Sequence, residues 1–409
     1  MSAEPKVAGA DSLVLPLLTA LTALGSISVS IYLPSLPSLA TSLQSTAASV
    51  KLSLTLFLFV FALSQLIYGP LSDRFGRKPP VVAGLLIYLA GSVACASAMN
   101  VSWLILARML EGVGAGAGPA LGRAILRDLY SGGKLTRSLA AVAAAVALSP
   151  MLGPVIGGYL QTAFGWRSNF VCLTMAAGVL LLCLYLWLPE THPPGPSQRI
   201  QLSVIVKNYS LLLWDREYIS ALTCGGMLTA GNFAWTAAAP FIFKSQYHFG
   251  PAQYGNVALL IGSGYVAGTT LSAQLSRRLA APAVVYTGIA LALSASAGLE
   301  WLAGEASAYQ WVVGLMIVFT AGMGMVIPMS AACALSRHPE IAGSAAGLLG
   351  AMQIATGAFG SLTISLFSSP TITPVAVILT VTSALSLFAA YVALLPFRNR
   401  ILSSREVLA

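Results

Sequence analysis

Two opposite charges, Arg108 and Glu111, lie inside a long apolar segment of the sequence. They are three residues apart, so on a helix they share one face and can pair directly. An ionisable residue in such a segment is a functional candidate by default, because charge is costly in an apolar surrounding. Burial favours the protonated form of Glu111, whereas the neighbouring guanidinium favours its carboxylate. Access to water could therefore switch Glu111 between the two forms, and the pattern predicts a proton carrier.

The same pair has a second interpretation. Glu111 could form a permanent ion pair that only keeps the buried Arg108 neutralised. In the proton-carrier hypothesis, Glu111 instead gains a proton on one side of a membrane and loses it on the other, with Arg108 or a cationic substrate favouring the release. The residues alone leave both interpretations open.

The other acidic residues are poorer candidates for a proton carrier. Glu111 is the only acid well within an apolar run, since Glu217 and Glu300 fall at predicted helix ends, near water. Asp11 precedes the first run, where a carboxylate favours a helix N-terminus.

Motifs for catalysis or metal binding are absent from the sequence. The three histidines, His192, His248 and His338, fall in predicted loops, and the five cysteines form no CxxC pair. No HExxH, GxSxG or nucleotide-binding loop is present. We therefore expect no enzyme activity, no bound metal and no cofactor, with the proton as the only coupling ion.

Composition places these residues in a membrane protein. The chain has 409 residues, of which 57% are hydrophobic and 8% charged, and its mean hydropathy is +0.83. A bilayer core requires roughly 20 mostly apolar residues per helical span. The sequence predicts an all-α integral membrane protein with twelve spans, near residues 13–34, 52–70, 80–99, 102–126, 137–162, 166–188, 217–243, 252–275, 281–302, 309–334, 342–368 and 373–396.

The positive charges predict the orientation of the spans, because Lys and Arg concentrate in cytoplasmic loops. With the N-terminus inside, every Lys and Arg except Lys51, Arg108, Arg167 and Lys244 falls on or near the cytoplasmic face. Both termini are therefore expected in the cytoplasm. This asymmetry explains the net charge of +9, and a nucleic-acid partner is not expected, since that would need a basic face on a soluble domain.

The longest polar interruption divides the spans into two groups of six. We expect an N-terminal half at 1–190, a cytoplasmic linker at 191–215 and a C-terminal half at 216–409. Two six-helix halves related by a pseudo-twofold axis can open alternately to each side of a membrane. This organisation favours a transporter over a membrane enzyme, for which no catalytic residues are found.

A charged turn between spans two and three carries the most specific motif, Gly69-Pro70-Leu71-Ser72-Asp73-Arg74-Phe75-Gly76-Arg77-Lys78-Pro79. Gly76 permits a tight turn, and Asp73 and Arg77 can form charge-assisted bonds to neighbouring helix ends. The motif resembles the signature of the major facilitator superfamily. Arg108-Met109-Leu110-Glu111-Gly112 resembles its fourth-helix motif, although that family often has Gln in place of Glu111.

Further strings resemble one branch of that superfamily, the bicyclomycin/chloramphenicol-resistance drug–proton antiporters. They are 31–37, 61–70, 123–130 and the antiporter-like 149–158, which contains Pro150, Gly153, Pro154, Gly157 and Gly158. The resemblance implies proton-driven export of small amphipathic drugs across the bacterial inner membrane by a chain that works as a monomer. It also implies a conformational latch made of Asp73, Gly76, Arg77 and Asp128.

One departure from that branch concerns the first span. Its members commonly have an acid where this chain has Ser30, which is why Glu111 becomes a candidate substitute. The superfamily's cavity lies between the halves, and apolar walls with a few polar groups suit lipophilic ligands. Candidate substrate contacts are Ser30, Tyr32, Phe57, Phe61, Asn232, Phe233, Trp235, Thr236, Met323 and Gln353. Transport of a metabolite or sugar remains the alternative, whereas a receptor is hard to reconcile with the latch.

Overall fold

The structure is a computed structural model that describes residues 11–192, 202–303, 308–367 and 371–406. Within these ranges the chain is helical and contains no strand, which confirms the predicted fold class. Its α-helices are α1 Asp11–Ser30, α2 Leu36–Ser42, α3 Ala47–Phe75, α4 Lys78–Ala96, α5 Val101–Ala115, α6 Ala117–Leu129, α7 Gly132–Phe164, α8 Arg167–Trp187, α9 Leu202–Trp214, α10 Arg216–Gln246, α11 Pro251–Leu275, α12 Ala281–Leu302, α13 Tyr309–Ser336, α14 Ala342–Ser365 and α15 Ile372–Glu406.

Ten helical segments in the described ranges are long and apolar enough to cross a membrane. Two of them are formed by consecutive helices, α1 with α2 over Leu13–Ser42 and α5 with α6 over Val101–Leu129. The remaining two predicted spans exist as α10 and α11, of 31 and 25 residues. These two helices are long enough to span a membrane, but their many small and polar residues lower their hydropathy, so they are not among the ten segments.

The predicted span at 102–126 is broken at Gly116, between α5 and α6. A side chain at Gly116 would collide with the Ser64 hydroxyl of α3, and one at Gly114 would collide with the backbone of Tyr88 in α4. The glycine run from 112 to 118 therefore serves close helix packing. Such approaches are typical of membrane helices, whose interfaces favour small residues.

Residues Met1–Ser45 and Leu56–Ile200 group into a first compact unit, and Thr46–Thr55 and Gln201–Ala409 into a second. In the first unit, α1 packs on α7 and α6, and α4 packs between α5 and α8. In the second unit, α10 packs on α14 and α15, and α13 packs on α11 and α12.

The predicted linker at 191–215 is partly helical. Residues 202–214 form α9, whereas 193–201 lie outside the described residues. Asp215 then caps α10 by accepting hydrogen bonds from the backbone N–H groups of Glu217 and Tyr218 at 2.9 and 3.3 Å. The boundaries given to the linker and the halves stay a prediction.

Candidate functional site

The helix α5 places Arg108 and Glu111 on one face, one turn apart. Its start is fixed by Asn100, whose side-chain Oδ1 accepts a hydrogen bond from the backbone N–H of Trp103 at 2.8 Å. Two glycines let other helices approach the pair closely. A side chain at Gly91 of α4 would meet the backbone of Glu111, and one at Gly112 would meet the Phe57 carbonyl.

Arg108 and Glu111 form a direct ion pair away from solvent. The distance from Arg108 Nη1 to Glu111 Oε2 is 2.7 Å, and both side chains are 0% exposed. Arg108 Nη2 also donates to the Ser28 carbonyl at 3.3 Å, and the Cys95 thiol donates to Glu111 Oε2 at 3.6 Å. Arg108 Nε and Glu111 Oε1 have no hydrogen-bond partner within the described residues. The pair is therefore neutralised but incompletely hydrogen-bonded.

Three aromatic rings cover the guanidinium of Arg108. Its Cζ atom lies 3.9 Å from the ring centroid of Phe57, 4.4 Å from that of Tyr32 and 5.9 Å from that of Phe170. The faces of aromatic rings attract a cation, and more strongly where water is excluded. Phe61 packs against Phe57 with 5.7 Å between ring centroids. Three predicted substrate contacts, Tyr32, Phe57 and Phe61, thus lie at or next to the ion pair.

The predicted latch residues also come together in the first unit. The Arg77 guanidinium donates to Asp128 Oδ2 at 2.8 Å and to Asp73 Oδ1 at 2.6 Å. Burial lowers the pKa of Arg77, but the bonds to Asp128 and Asp73 outweigh it, and the pKa lies above its usual value. Gly76 has a φ of +87°, a left-handed conformation that favours glycine. We call these four residues the Arg77 latch.

Two residues that the sequence analysis did not single out, Ser72 and Glu190, also contact the Arg77 latch. The Ser72 hydroxyl accepts a bond from Arg77 Nη1 at 2.7 Å. The Glu190 carboxylate accepts from the backbone N–H groups of Arg77 and Lys78 at 2.7 and 3.1 Å, and so caps the N-terminus of α4. The position of Glu190, directly after the sixth apolar run, is the sequence feature that could have indicated its role.

Ser30 lies against the antiporter-like segment of α7. Its hydroxyl donates to the Ser149 carbonyl at 3.1 Å, and it fills the space beside Gly153. Gly157 adjoins the backbone of Ile31 in the same way, and Pro154 and Gly158 are also buried, whereas Pro150 is exposed. The small residues of this segment therefore bring α1 and α7 into backbone contact.

Comparison with known proteins identifies the family. The family model of the Major Facilitator Superfamily matches residues 18–361. The chain belongs to this superfamily. A bicyclomycin resistance protein homolog of Haemophilus influenzae is 27% identical over 83% of this chain and 85% of its own. The multidrug resistance protein D of Escherichia coli is 26% identical over 85% of this chain and 87% of its own.

A solved structure supports the same fold. It is a bacterial homolog of the human lysosomal transporter Spinster, in an inward-facing and unoccupied conformation. The TM-score is 0.67 at 16% sequence identity, and the match covers 95% of this chain and 98% of the other. The predicted major-facilitator fold is therefore confirmed, and the chain is a membrane transporter of this superfamily.

The remaining candidate contacts of this superfamily member lie in the second unit. Trp235 is buried and packs edge-on against Phe243, with ring centroids 6.2 Å apart. Thr236 donates its hydroxyl to the carbonyl of Asn232 at 2.7 Å. Phe233 lies against Gly357 of α14. Met323 of α13 is buried and Gln353 of α14 is half-buried; their roles stay predictions.

The second unit of this transporter has a polar cluster that the sequence did not reveal. Asp215 Oδ2 lies 2.6 Å from His338 Nε2, and Arg337 pairs with Glu217. Burial raises the pKa of Asp215, but the bonds from His338 and the backbone outweigh it, and the pKa lies below its usual value. These contacts join the start of α10 to the end of α13, more than one hundred residues apart in sequence.

Proposed function

We propose that this transporter exports small amphipathic drugs across the bacterial inner membrane by alternating access, driven by protons. The superfamily membership supports transport, and the relatives named for bicyclomycin and multidrug resistance support the substrate class. The distribution of Lys and Arg supports cytoplasmic termini. We further propose that the chain works as a monomer and that Glu111 carries the coupling proton.

The observation that carries the proton proposal is the burial of the Arg108–Glu111 pair. Both side chains are 0% exposed, and one carboxylate oxygen, Oε1, has no hydrogen-bond partner within the described residues. That oxygen can accept a proton without losing the bond from Arg108 to Oε2. Burial favours the neutral acid, and the neighbouring guanidinium opposes it most strongly, with smaller contributions from the Cys95 and Tyr88 side chains. A small change in hydration or in the position of Arg108 therefore decides the protonation state.

Coupling follows from which side supplies the water. When the site opens outward, Glu111 takes up a proton from the more acidic side. When it opens inward, Arg108 favours the carboxylate and the proton leaves. Coupling also requires that protons do not leak through the protein, because leakage would dissipate the gradient. The close contact of α1 with α7 beside Ser30 supports such a barrier. In this proposal the Arg77 latch stabilises one of the two conformations.

Glu111→Gln tests the proposal in proteoliposomes with an imposed proton gradient. We expect it to abolish gradient-driven accumulation of a drug probe, because an amide cannot take up the proton. Glu111→Asp should keep part of the activity. Glu300→Gln is the matched control, since Glu300 is exposed at the end of α12, and it should transport as the unmodified protein does.

A double variant separates the proton carrier from the permanent ion pair. Arg108→Met with Glu111→Met removes both buried charges, and replacing such a pair by apolar groups is often neutral for stability. A proton carrier predicts a folded protein without gradient-driven transport. Full gradient-driven activity in Glu111→Gln or in the double variant would reject Glu111 as the carrier. Movement that ignores the gradient in the unmodified protein would reject proton-driven export itself.

A further inference from the structure

Tyr88 of α4 and Ser28 of α1 bring two buried hydroxyl groups to the Arg108–Glu111 pair. Both residues are 0% exposed, and their hydroxyl oxygens are in hydrogen-bond contact. The Tyr88 side chain also interacts with the Glu111 carboxylate, and the Ser28 carbonyl accepts the bond from Arg108 Nη2 described above. The two hydroxyls therefore link Glu111 to α1.

One face of α4 brings Tyr88 to Glu111. Tyr88, Gly91 and Cys95 follow one another at intervals of three and four residues, so they share a face of the helix. The Glu111 backbone lies against Gly91, and its Oε2 accepts from the Cys95 thiol at 3.6 Å. Around Glu111, the titratable groups in the described ranges are those of Arg108, Cys95 and Tyr88.

The direction of each bond in this chain of hydroxyls follows from the number of protons available. The Ser28 hydroxyl donates its only proton to the Leu24 carbonyl, at 2.7 Å, because a carbonyl can only accept. Tyr88 must then donate its own proton to Ser28 and has none left for Glu111. That direction agrees with Glu111 Oε1, which has no hydrogen-bond partner among the described residues. In this arrangement the Tyr88 oxygen can accept a bond from Glu111 but cannot donate one to it.

We infer that Tyr88 is a positioning residue that changes from acceptor to donor when Glu111 loses its proton. This inference rests on the proposed role of Glu111 as the proton carrier and adds the groups that respond to the proton. Protonated Glu111 donates from Oε1 to Tyr88, and Tyr88 donates to Ser28. When Glu111 is ionised, Ser28 releases the Leu24 carbonyl and donates to Tyr88, and Tyr88 donates to the carboxylate. Each hydroxyl keeps its proton and only rotates, so the proton that Glu111 releases passes to water.

The two hydroxyls favour opposite states of Glu111. A bond donated to a carboxylate is charge-assisted and roughly twice as strong as a bond between neutral groups. Tyr88 therefore favours the ionised form. Ser28 favours the protonated form, because only in that state does the Tyr88 proton need Ser28 as its acceptor, and a buried donor without an acceptor is costly.

Infrared titration of the Glu111 acid tests the inference on the full-length protein in lipid vesicles. The C=O stretching band of a protonated carboxylic acid measures the protonated fraction, and Glu111→Gln identifies the band that belongs to Glu111. For Tyr88→Phe we expect the pH of half-protonation to rise by about one unit. Ser28→Ala should lower it by about one unit, since the Tyr88 proton loses its acceptor. Each substitution removes a single oxygen atom, so the packing is retained.

The double variant Ser28→Ala with Tyr88→Phe gives the sharpest test. Without the Tyr88 hydroxyl, Ser28 has no contact through which to affect Glu111, so the double variant should titrate as Tyr88→Phe does. Tyr254→Phe is the matched control, because it also removes the hydroxyl of a buried tyrosine, in α11, and it should leave the titration of Glu111 unchanged. The pH dependence of gradient-driven efflux should shift in the same direction as the band in each variant.

Three results would overturn the inference and leave Glu111 standing as the proton carrier. The first is an unchanged titration in Tyr88→Phe. The second is a shift of both single variants in the same direction, which would indicate a general change of packing. The third is a double variant whose shift equals the sum of the single shifts, because Ser28 and Tyr88 would then act independently. A Glu111 band that does not titrate in the unmodified protein would instead overturn the proposed proton carrier along with the inference.

Discussion

The first unit contains two arginine–carboxylate clusters with similar distances and different surroundings. Arg108 and Glu111 are 2.7 Å apart and both fully buried. Arg77 lies 2.6 Å from Asp73 and 2.8 Å from Asp128, but the side chains of these aspartates are 65% and 20% exposed. The lengths of the bonds are therefore nearly equal, whereas water reaches only the Arg77 cluster, chiefly through Asp73.

This difference in exposure suits the two clusters to different roles. A pair that reaches water can open and close repeatedly, because water replaces each lost bond at little cost. A dry pair cannot separate without leaving an uncompensated charge in an apolar surrounding. The Arg77 latch is thus suited to conformational change, and the buried pair is suited to respond to a proton.

Removing one arginine from each cluster should give the largest contrast. Arg108→Met leaves the Glu111 carboxylate buried without its partner, and we expect a loss of about 3–5 kcal/mol in the free energy of unfolding. Arg77→Met should cost about 1 kcal/mol, because Asp73 and Asp128 can be hydrated. Denaturant titration in mixed micelles measures both. Equal losses would contradict the distinction between the two clusters.

Gly76→Ala tests whether the backbone of the Arg77 latch is as demanding as its charges. A side chain at this left-handed position also meets the Glu190 carboxylate, which must release the backbone N–H groups that it caps. We expect a loss of about 2 kcal/mol in unfolding free energy. Gly165→Ala is the matched control, with a φ of +80° and open space around it. It should lose only about 1 kcal/mol, and equal losses would exclude a role for Glu190.

Glu190→Gln should have the smallest effect. The amide keeps one acceptor oxygen for the start of α4 but removes the negative charge that favours a helix N-terminus. We expect a loss of about 0.3–1 kcal/mol in unfolding free energy at low ionic strength, decreasing as salt is added. The same titration at two salt concentrations measures it. A loss that salt does not change would show that the cap acts through geometry rather than charge.

Local spacing explains what the sequence could predict of this molecule. Arg108 and Glu111 are one helical turn apart, so their pairing follows once a helix is recognised. Three residues of the Arg77 latch stand in the specific motif at 69–79, and Asp128 stands in a second string at 123–130; the structure brings Asp73 and Asp128 to Arg77. The packing role of the glycines near Gly116 also follows from their position in an apolar run.

Contacts between distant residues account for what the sequence missed. Glu190 meets Arg77 across 113 positions, and His338 meets Asp215 across 123, so no local pattern links them. Lys51, expected on the outer side, is buried beside the end of α14, more than three hundred residues later. Ser30 stands where members of the resembling branch commonly have an acid. Only the structure shows that α7 occupies the space beside Ser30.

The close contact of Gly91 with the backbone of Glu111 has a consequence for how a proton would be sensed. With no side chain at Gly91, the backbone of α5 rests directly on α4. The carboxylate is therefore fixed relative to α4, and only its terminal atoms can turn. If Glu111 carries the proton, the carboxylate stays in place during the transport cycle. Its protonation then changes when water gains or loses access to it.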